Sequence, residues 1–496
     1  MNLFRAPAAA RAAKTLDRAL FARTIPSAAA SVQDNKLLSK YRKELELTKE
    51  LFVLQSFQQV APDPDPALAA KGNKCLVLKN HIKPQEPLTW SRELQEASRI
   101  GHLKVIPYDI DINYNLWSYG ETLDVPLMDT TNLYYIVDVM RSILPEELQN
   151  EIPSGFNTAG HVGRLSSSSS LPGHQANKAA HLNLRDQYLP YKHIIAQVII
   201  DKNPGIRTVI NKIDNVGTES EFRTFAYEVL AGPDDLEVEV SEAGCHFKFD
   251  YAKVYWNSKL STEHQRIAAL FQPGEVVADV MAGIGPFAVP AGKKGVFVWA
   301  NDKNPASYRY LTDTIQRNKV GEFVRPFNAD GHDFIQQACD DVLAAARRGD
   351  AALLPGRKVS RTAAAQAGAP RPPAATRVPV PPTVAHFVMN LPASALEFLH
   401  NFRGIYHGQE ALFAPHTATR LPLVHAHCFA VKADDATPLD DICNRIEKEI
   451  GIRLVPGDAN VDGQVSIHEV RDVAPAKRMF CASFRIPPSV AFAPRS

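Results

Sequence analysis

The chain has 496 residues, 45% hydrophobic and 22% charged, which is ordinary for a globular protein and long enough for roughly two to four domains. Lys and Arg number 55 against 54 Asp and Glu, so the formal net charge of +1 gives no global attraction to nucleic acid, and any nucleic-acid site has to be a local basic face. Six scattered cysteines without a C-x-x-C pair exclude a disulfide framework and a zinc ribbon and point to a reducing compartment, and no run of about 18 apolar residues is present to span a membrane.

Residues 1–32 hold Arg5, Arg11, Lys14, Arg18 and Arg23 against one acid, Asp17, in an Ala- and Ser-rich background. A basic, acid-poor start of this kind predicts a mitochondrial transit segment, with a disordered tail as the alternative. Residues 33–181 read as a first domain, with a helical repeat at Leu45, Leu47, Leu51, Leu54 and Phe57. Ser166 to Ser170 mark an insertion at about 163–180 that is too poor in apolar residues to order itself. Tyr191, Ile194, Ile195, Val198 and Ile199 form a helical stripe that Asn203-Pro204-Gly205 ends. Strands follow at 208–210, 222–230, 236–240 and 245–249, giving an α+β middle domain over residues 182–258.

From residue 259 the pattern changes. Ser261 to Leu270 is a helix, with Thr262 and Gln265 at the spacing of a capping box. Strands at 275–280, 296–301, 323–328, 384–389 and 422–431 alternate with helices near 286–293, 304–317, 332–346, 393–402 and 437–450. Such alternation predicts an α/β fold with a parallel, Rossmann-like sheet and right-handed crossovers. Two last strands, 464–471 and 478–485, fit an antiparallel hairpin at the sheet's end. The Ala/Pro/Arg-rich residues 349–383 lack any apolar period and read as a second disordered insertion.

Val276 to Phe287 is a strand running into a Gly-rich turn, where Gly283 and Gly285 free the backbone for positive φ and close ligand approach. With Ala288, and with Asp302 19 residues beyond Gly283, the turn also satisfies a dinucleotide fingerprint. A nicotinamide site and a methyl-donor site therefore both remain open on this stretch alone. Three more positions follow strand ends: Asn301-Asp302, Asn328 to Gly331, and Asn390-Leu391-Pro392. Asp302 suits a ribose diol and Asp330 the exocyclic amine of adenine, the pair that S-adenosylmethionine needs. Singly, Asp302 reads as a helix N-terminal charge, Asp330-Gly331 as a turn and the tripeptide as a strand terminator. The closing hairpin favours a methyltransferase sheet, since a nicotinamide domain more often continues parallel. His425 and His427 form an H-x-H pair, with His407 and His416 nearby; no acidic or cysteine partner is evident, so no metal site is predicted.

The stretches His181-Leu182-Asn183-Leu184-Arg185, Glu221-Phe222-Arg223, Val254 to His264, Asp279 to Phe287, Asn390-Leu391-Pro392 and His468 to Pro475 resemble the tRNA (guanine-37 N1)-methyltransferases of eukaryotes and archaea, the fungal branch in particular, over roughly residues 36–490. The resemblance implies a class I methyltransferase domain over residues 259–496, preceded by the α+β middle domain and a smaller N-terminal domain that checks the tRNA body. It implies methyl transfer from S-adenosylmethionine to N1 of the guanosine 3′ of the anticodon, with a product that feeds wybutosine synthesis in phenylalanine tRNA. N1 of neutral guanine carries a proton, and negative charge builds toward O6 when that proton leaves, so a base and a cation are needed. By resemblance Glu263 is the base, Arg223 the cation, and Asn390 holds the target nitrogen. His264, Asp279, Gly283, Gly285, Asp302, Lys303, Asp330, Gly331, Asn390 and Pro392 are implied cofactor contacts; Arg223, Tyr255 and Lys259 are implied substrate contacts. Two departures stand out. The tripeptide reads Asn-Leu-Pro where many nitrogen methyltransferases have Asn/Asp-Pro-Pro, and His264 stands where archaeal members carry arginine. Trp256 reads either as a stacking partner or as core.

Lys202, Arg207, Lys212, Arg223, Lys248, Lys253, Lys259 and Arg266 supply a candidate basic face for tRNA phosphates. The expected partner is tRNA, with no membrane and no obligate protein partner, and the expected state is a monomer. The expected location is the mitochondrial matrix, cytoplasm and nucleus. A nicotinamide-dependent oxidoreductase and a non-catalytic RNA-binding protein are the alternatives.

Overall fold

The chain folds into two units, seen in a computed structural model that describes residues 15–495 except 54–56, 117–138, 150–156, 160–177, 183, 204, 214–221, 223, 225, 355–375 and 414–419. One unit comprises residues 1–157, 180–211 and 228–234, and the other 158–179, 212–227 and 235–496. The expected middle domain, 182–258, is therefore divided between them.

The N-terminal unit is built on a four-stranded antiparallel sheet in the order Val60–Pro62, Lys74–Val77, Arg23–Val32, Leu103–Ile112. Successive side chains of Arg23–Val32 serve opposite faces. Ala28, Ala30 and Val32 pack with Tyr41, Leu45, Leu94 and Ala97 from the helices Leu38–Leu47 and Arg92–Arg99. Ile25 joins a second core with Ile194, Ile195, Val198 and Ile199, the predicted stripe of the helix Lys192–Lys202. Arg18 adds a bidentate bond to Asp201, 2.9 Å at each nitrogen.

Within the stretch read as a transit segment, Arg23–Val32 forms a central strand, paired with Leu103–Ile112 through all ten of its residues. The helical repeat expected from Leu45 to Phe57 is corrected, because the helix formed is Leu38–Leu47.

The C-terminal unit carries the sheet of interest. Its strands are β1 (Val276–Asp279), β2 (Phe297–Asn301), β3 (Val324–Phe327), β4 (His386–Met389), β5 (Leu423–Val431), β6 (Val455–Pro456), β7 (Gln464–Ala474) and β8 (Lys477–Arg485), in the spatial order β3-β2-β1-β4-β5-β8-β7-β6. Strands β1 to β5 run parallel, and β8 pairs antiparallel with β5 and β7. Every residue of β1 and β2 is buried, as a sheet covered on both faces requires. The helices are α1 (Ser261–Leu270), α2 (Ala288–Lys293), α3 (Pro305–Asn318), α4 (Gly331–Arg348) and α5 (Thr437–Ile450). Asn304 caps α3 through Ala306 N with Pro305 in the first turn, as the sequence predicts. The helix expected at 393–402 is instead a 3-10 segment, Ala395–Phe402.

The insertion expected at 349–383 is partly ordered, because Ala351–Leu354 pairs antiparallel with Thr376–Pro379; residues 355–375 lie outside the described set. Most of the other insertion, 163–180, also lies outside it, apart from the start of the strand Lys178–Leu182. No helix of the described residues is long and apolar enough to cross a membrane.

Removing residues 1–32 takes away Ile25 and Val32, about 2 kcal/mol each, together with the central ladder, against a typical domain stability of about 5–15 kcal/mol. The truncated chain is expected to lose the cooperative urea transition of the N-terminal unit, followed by circular dichroism. A transition matching the intact chain would show the strand to be dispensable.

Candidate active site

At the carboxyl end of β1 the chain turns through Gly283 (φ 57°) and Gly285 (φ 94°). These glycines do different work. A Cβ on Gly283 would meet nothing within 4 Å, whereas one on Gly285 would lie 2.8 Å from Val289 Cγ2 and 2.9 Å from Leu311 Cδ1. Gly283 presents bare backbone to a cavity, and Gly285 lets α2 and α3 pack closely.

Asn301, fully buried at the end of β2, fixes the neighbouring loops. Its Nδ2 donates to Val280 O (3.1 Å) and Ala329 O (3.0 Å), and its Oδ1 accepts from Ala329 N (2.8 Å). Asp302 accepts from Gly283 N (2.8 Å) and Asn304 N (3.0 Å), which locks the Gly turn to the second strand. Burial lifts the Asp302 carboxyl above its ordinary range, against the pull of those two backbone donors. Asp330 caps α4 through His332 N (2.9 Å) and pairs with Lys303 Nζ (2.9 Å); both lower its pKa, the backbone bond most.

These loops enclose a cavity of about 280 Å³ over the ends of β1 to β4. Tyr255, His264, Gly283, Asp302, Lys303, Asp330, Gly331 and Asn390, all singled out from the sequence, line it. Two of its wall atoms, Asn390 Oδ1 and Trp256 Nε1, are buried without a hydrogen-bond partner among the described residues. Trp256 also packs against Phe247 and Phe249, each at 5.4 Å between ring centroids, so it is core and wall at once. His264 Nδ1 bonds Glu242 Oε1 at 2.6 Å, and its ring meets the edge of Phe287 at 4.8 Å.

Other sequence-derived positions stand off the cavity wall. Asp279 is fully buried beneath it, with neither carboxylate oxygen bonded among the described residues; burial, then Asp302, raise its pKa well above the ordinary carboxyl value. Pro392 is buried, and its carbonyl accepts from Phe429 N (3.0 Å), so it anchors the Asn390 loop to β5. Gly285 is a packing residue, and Lys259 is exposed beside the cavity. Arg223 lies outside the described residues, though Phe222 lines the cavity. Of the candidate basic face, Lys248 pairs with Glu237 (3.3 Å), Lys253 with Asp250 (2.7 Å) and Arg266 with Glu263 (2.7 Å).

Glu263 is buried one residue before the cavity-lining His264, and its carboxylate is bonded by Arg266 of its own helix and by His427 of β5. Arg266 grips it with two bonds of 2.7 Å, and His427 Nε2 donates to Oε1 at 2.8 Å. Burial raises the carboxyl's pKa, but the bonds from Arg266 and His427 outweigh it and hold Glu263 at about 2. Burial likewise opposes charge on His427, yet Cys481 and Glu263 lift it to about 10. The sequence reading found no acid or cysteine near the H-x-H pair. The fold supplies both, with ligand atoms of Glu263, His427 and Cys481 all within 4.8 Å of one another. Arg266 already provides the cation there, bound to Glu263 and interacting with Cys481. His425 instead bonds Ser483 Oγ (2.8 Å) and His386 (3.0 Å).

Sequence reasoning also missed His332, which stacks on Phe398 at 3.9 Å on the cavity wall; its place two residues after Asp330 was the available signal.

The TRM5/TYW2 methyltransferase domain model matches residues 238–349, and the TYW2 N-terminal domain model matches 136–235. A tRNA (guanine(37)-N(1))-methyltransferase of Fusarium vanettenii is 64% identical over 496 residues, 100% of this chain and 98% of that one. The chain belongs to the tRNA (guanine(37)-N(1))-methyltransferase family. A member from Schizosaccharomyces pombe is 40% identical, with 97% of this chain and 95% of that one covered. Wild-type Trm5b from Pyrococcus abyssi shares the fold at a TM-score of 0.50 and 20% identity, over 93% of this chain and 99% of that one. The structure described as a complex of aTrm5 and tRNALeu does so at 0.52 and 16%, over 92% and 99%.

Two measurements test this geometry. Gly285→Ala is expected to cost about 2 kcal/mol from the clash and the positive φ, and Gly283→Ala about 1 kcal/mol from φ alone, by urea denaturation. Equal losses would remove the distinction. Glu263, lowered from 4.5 to about 2 on folding, contributes stability that is present above pH 4.5 and is lost as pH falls through 2. That contribution is roughly 3 kcal/mol. The stability gap between the protein and Glu263→Gln should therefore shrink as pH is lowered through this window; a constant gap would refute the assigned pairing.

Proposed function

We propose that this protein transfers a methyl group from S-adenosylmethionine to N1 of guanosine 37 in tRNA. The observation that carries the proposal is the unpartnered, buried Asn390 Oδ1 on the cavity wall, within a site otherwise furnished with bonded acids. The names of the full-length relatives support the same reading.

The residues present fit the methyl donor. Gly283 leaves open backbone, Asp302 has lone pairs beyond the two it uses on backbone donors, and the ion-paired Asp330 and Lys303 line the same cavity. When bound, S-adenosylmethionine supplies an electrophilic methyl group on sulfur. The chain's own residues do the rest. Asn390 Oδ1 accepts an N–H of the extruded guanine and fixes N1 for in-line attack. Tyr255 and Phe222 offer ring faces beside it. Arg223 supplies positive charge to O6. Glu263 is ionised across the physiological range and takes the N1 proton, whose acidity rises as N1 bonds to carbon.

Incubation with an unmodified tRNA transcript and labelled S-adenosylmethionine, followed by nucleoside mass spectrometry, is expected to yield N1-methylguanosine. A different methylated nucleoside, or none, would defeat the proposal. Asn390→Ala is expected to lower the single-turnover rate roughly 100-fold.

A further inference from the structure

Glu263 poses a chemical problem. Held at about 2, its carboxyl gives up a proton readily, yet the reaction proposed above asks it to take one. Its surroundings show where that proton goes next. Arg266 and His427 together occupy three of the roughly four lone-pair sites of the carboxylate. Oε1 carries two of those bonds and Oε2 one, so the open acceptor site is on Oε2. His468 Nε2 stands 4.0 Å from Oε2. The His468 side chain is 47% exposed where that of Glu263 is 3% exposed, so it joins a buried carboxylate to solvent. It lies on β7 and opens the stretch His468 to Pro475, which runs from that strand into the turn before β8.

We infer that His468 is the second proton acceptor of the reaction: the proton passes from guanine N1 to Glu263 Oε2, then to His468 Nε2, and leaves to water. This rests on Glu263 acting as the base. The N1–H bond breaks as N1 bonds to the methyl carbon, the carbon–sulfur bond breaks with its electron pair left on sulfur, and one proton is released as imidazolium and then hydronium. The gap of 4.0 Å is one that a single water or a small turn of an exposed side chain closes.

His427 does not serve this role, because it already holds its proton and donates it to Oε1 from a fully buried position. The groups facing His468 decide its state. Arg266 from α1 and His427 from β5 disfavour the imidazolium, Glu263 from α1 and Glu469 on its own strand favour it, and Cys481 lies opposite on β8. Burial, with Arg266 next, sets the balance below the ordinary histidine value, so the ring is neutral at pH 7 and free to accept. A neutral imidazole is a stronger base than a carboxylate held at about 2, and the second transfer runs downhill.

The test is single-turnover methyl transfer to an unmodified tRNA transcript with saturating S-adenosylmethionine, followed from about pH 5 to pH 8, where an imidazole titrates. In the unaltered enzyme the rate should fall toward acid as His468 protonates. His468→Gln should slow transfer roughly 10- to 100-fold at neutral pH and lose that acidic limb. Free imidazole in the buffer should restore His468→Ala and leave the unaltered enzyme unchanged. Urea midpoints of both variants should match the unaltered protein, since the side chain is half exposed. If both variants keep the full rate and the acidic limb while Glu263→Gln has lost activity, the relay is wrong and the base assignment stands. If Glu263→Gln itself keeps the full rate, the base assignment fails and the relay fails with it.

Discussion

One buried amide holds the active end of the sheet together. Asn301 sits at the tip of β2 with no exposure to solvent and bonds the chain after β1 and the chain after β3. Main-chain groups at strand ends lose their ladder partners, and in a dry interior each unpaired group costs about 1–3 kcal/mol. Asn301 answers three of them at once. With Asp302 bound to Gly283 N and Asn304 N, the two residues fix the loops that carry Gly283, Asp302 and Asp330. The cavity over the sheet has its shape because these loops cannot move independently.

The helix α1 serves two purposes through neighbouring residues. Consecutive positions on a helix point about 100° apart. His264 therefore reaches the cavity and Glu242, while Glu263 turns toward β5 and His427. Arg266, one turn beyond Glu263, returns to grip it. The result is a compact buried charge cluster in which the Arg266 guanidinium offsets the Glu263 carboxylate. A buried carboxylate is tolerated because it is both paired and multiply hydrogen-bonded.

Much of this was legible in the sequence, for reasons that particular residues make plain. The apolar runs of β1 and β2 announced strands buried on both faces, and Asn304-Pro305 announced the start of α3. The wall residues Gly283, Asp302, Asp330 and Asn390 were legible because each follows a strand end. What was hidden depends on distant partners. His427 meets Glu263 across 164 positions, and nothing local to the H-x-H pair reveals that. Gly283 and Gly285 look alike in sequence, and only Leu311 and Val289 separate their roles. The strand Arg23–Val32 carries the Ala, Ser and Arg content of a targeting segment, and its small side chains make sense only once the helices packed on them are known.

That strand also has a consequence for the order of events in synthesis. Thr24 bonds Asp111 across 87 positions, so the ladder cannot close until the ribosome has delivered the far strand. At about 5–20 residues per second, the interval is roughly 4–17 s. Throughout that interval Arg23–Val32 lacks the partner that pairs with all ten of its residues, so the centre of the N-terminal sheet is laid down early in synthesis and completed only after its outer strand arrives.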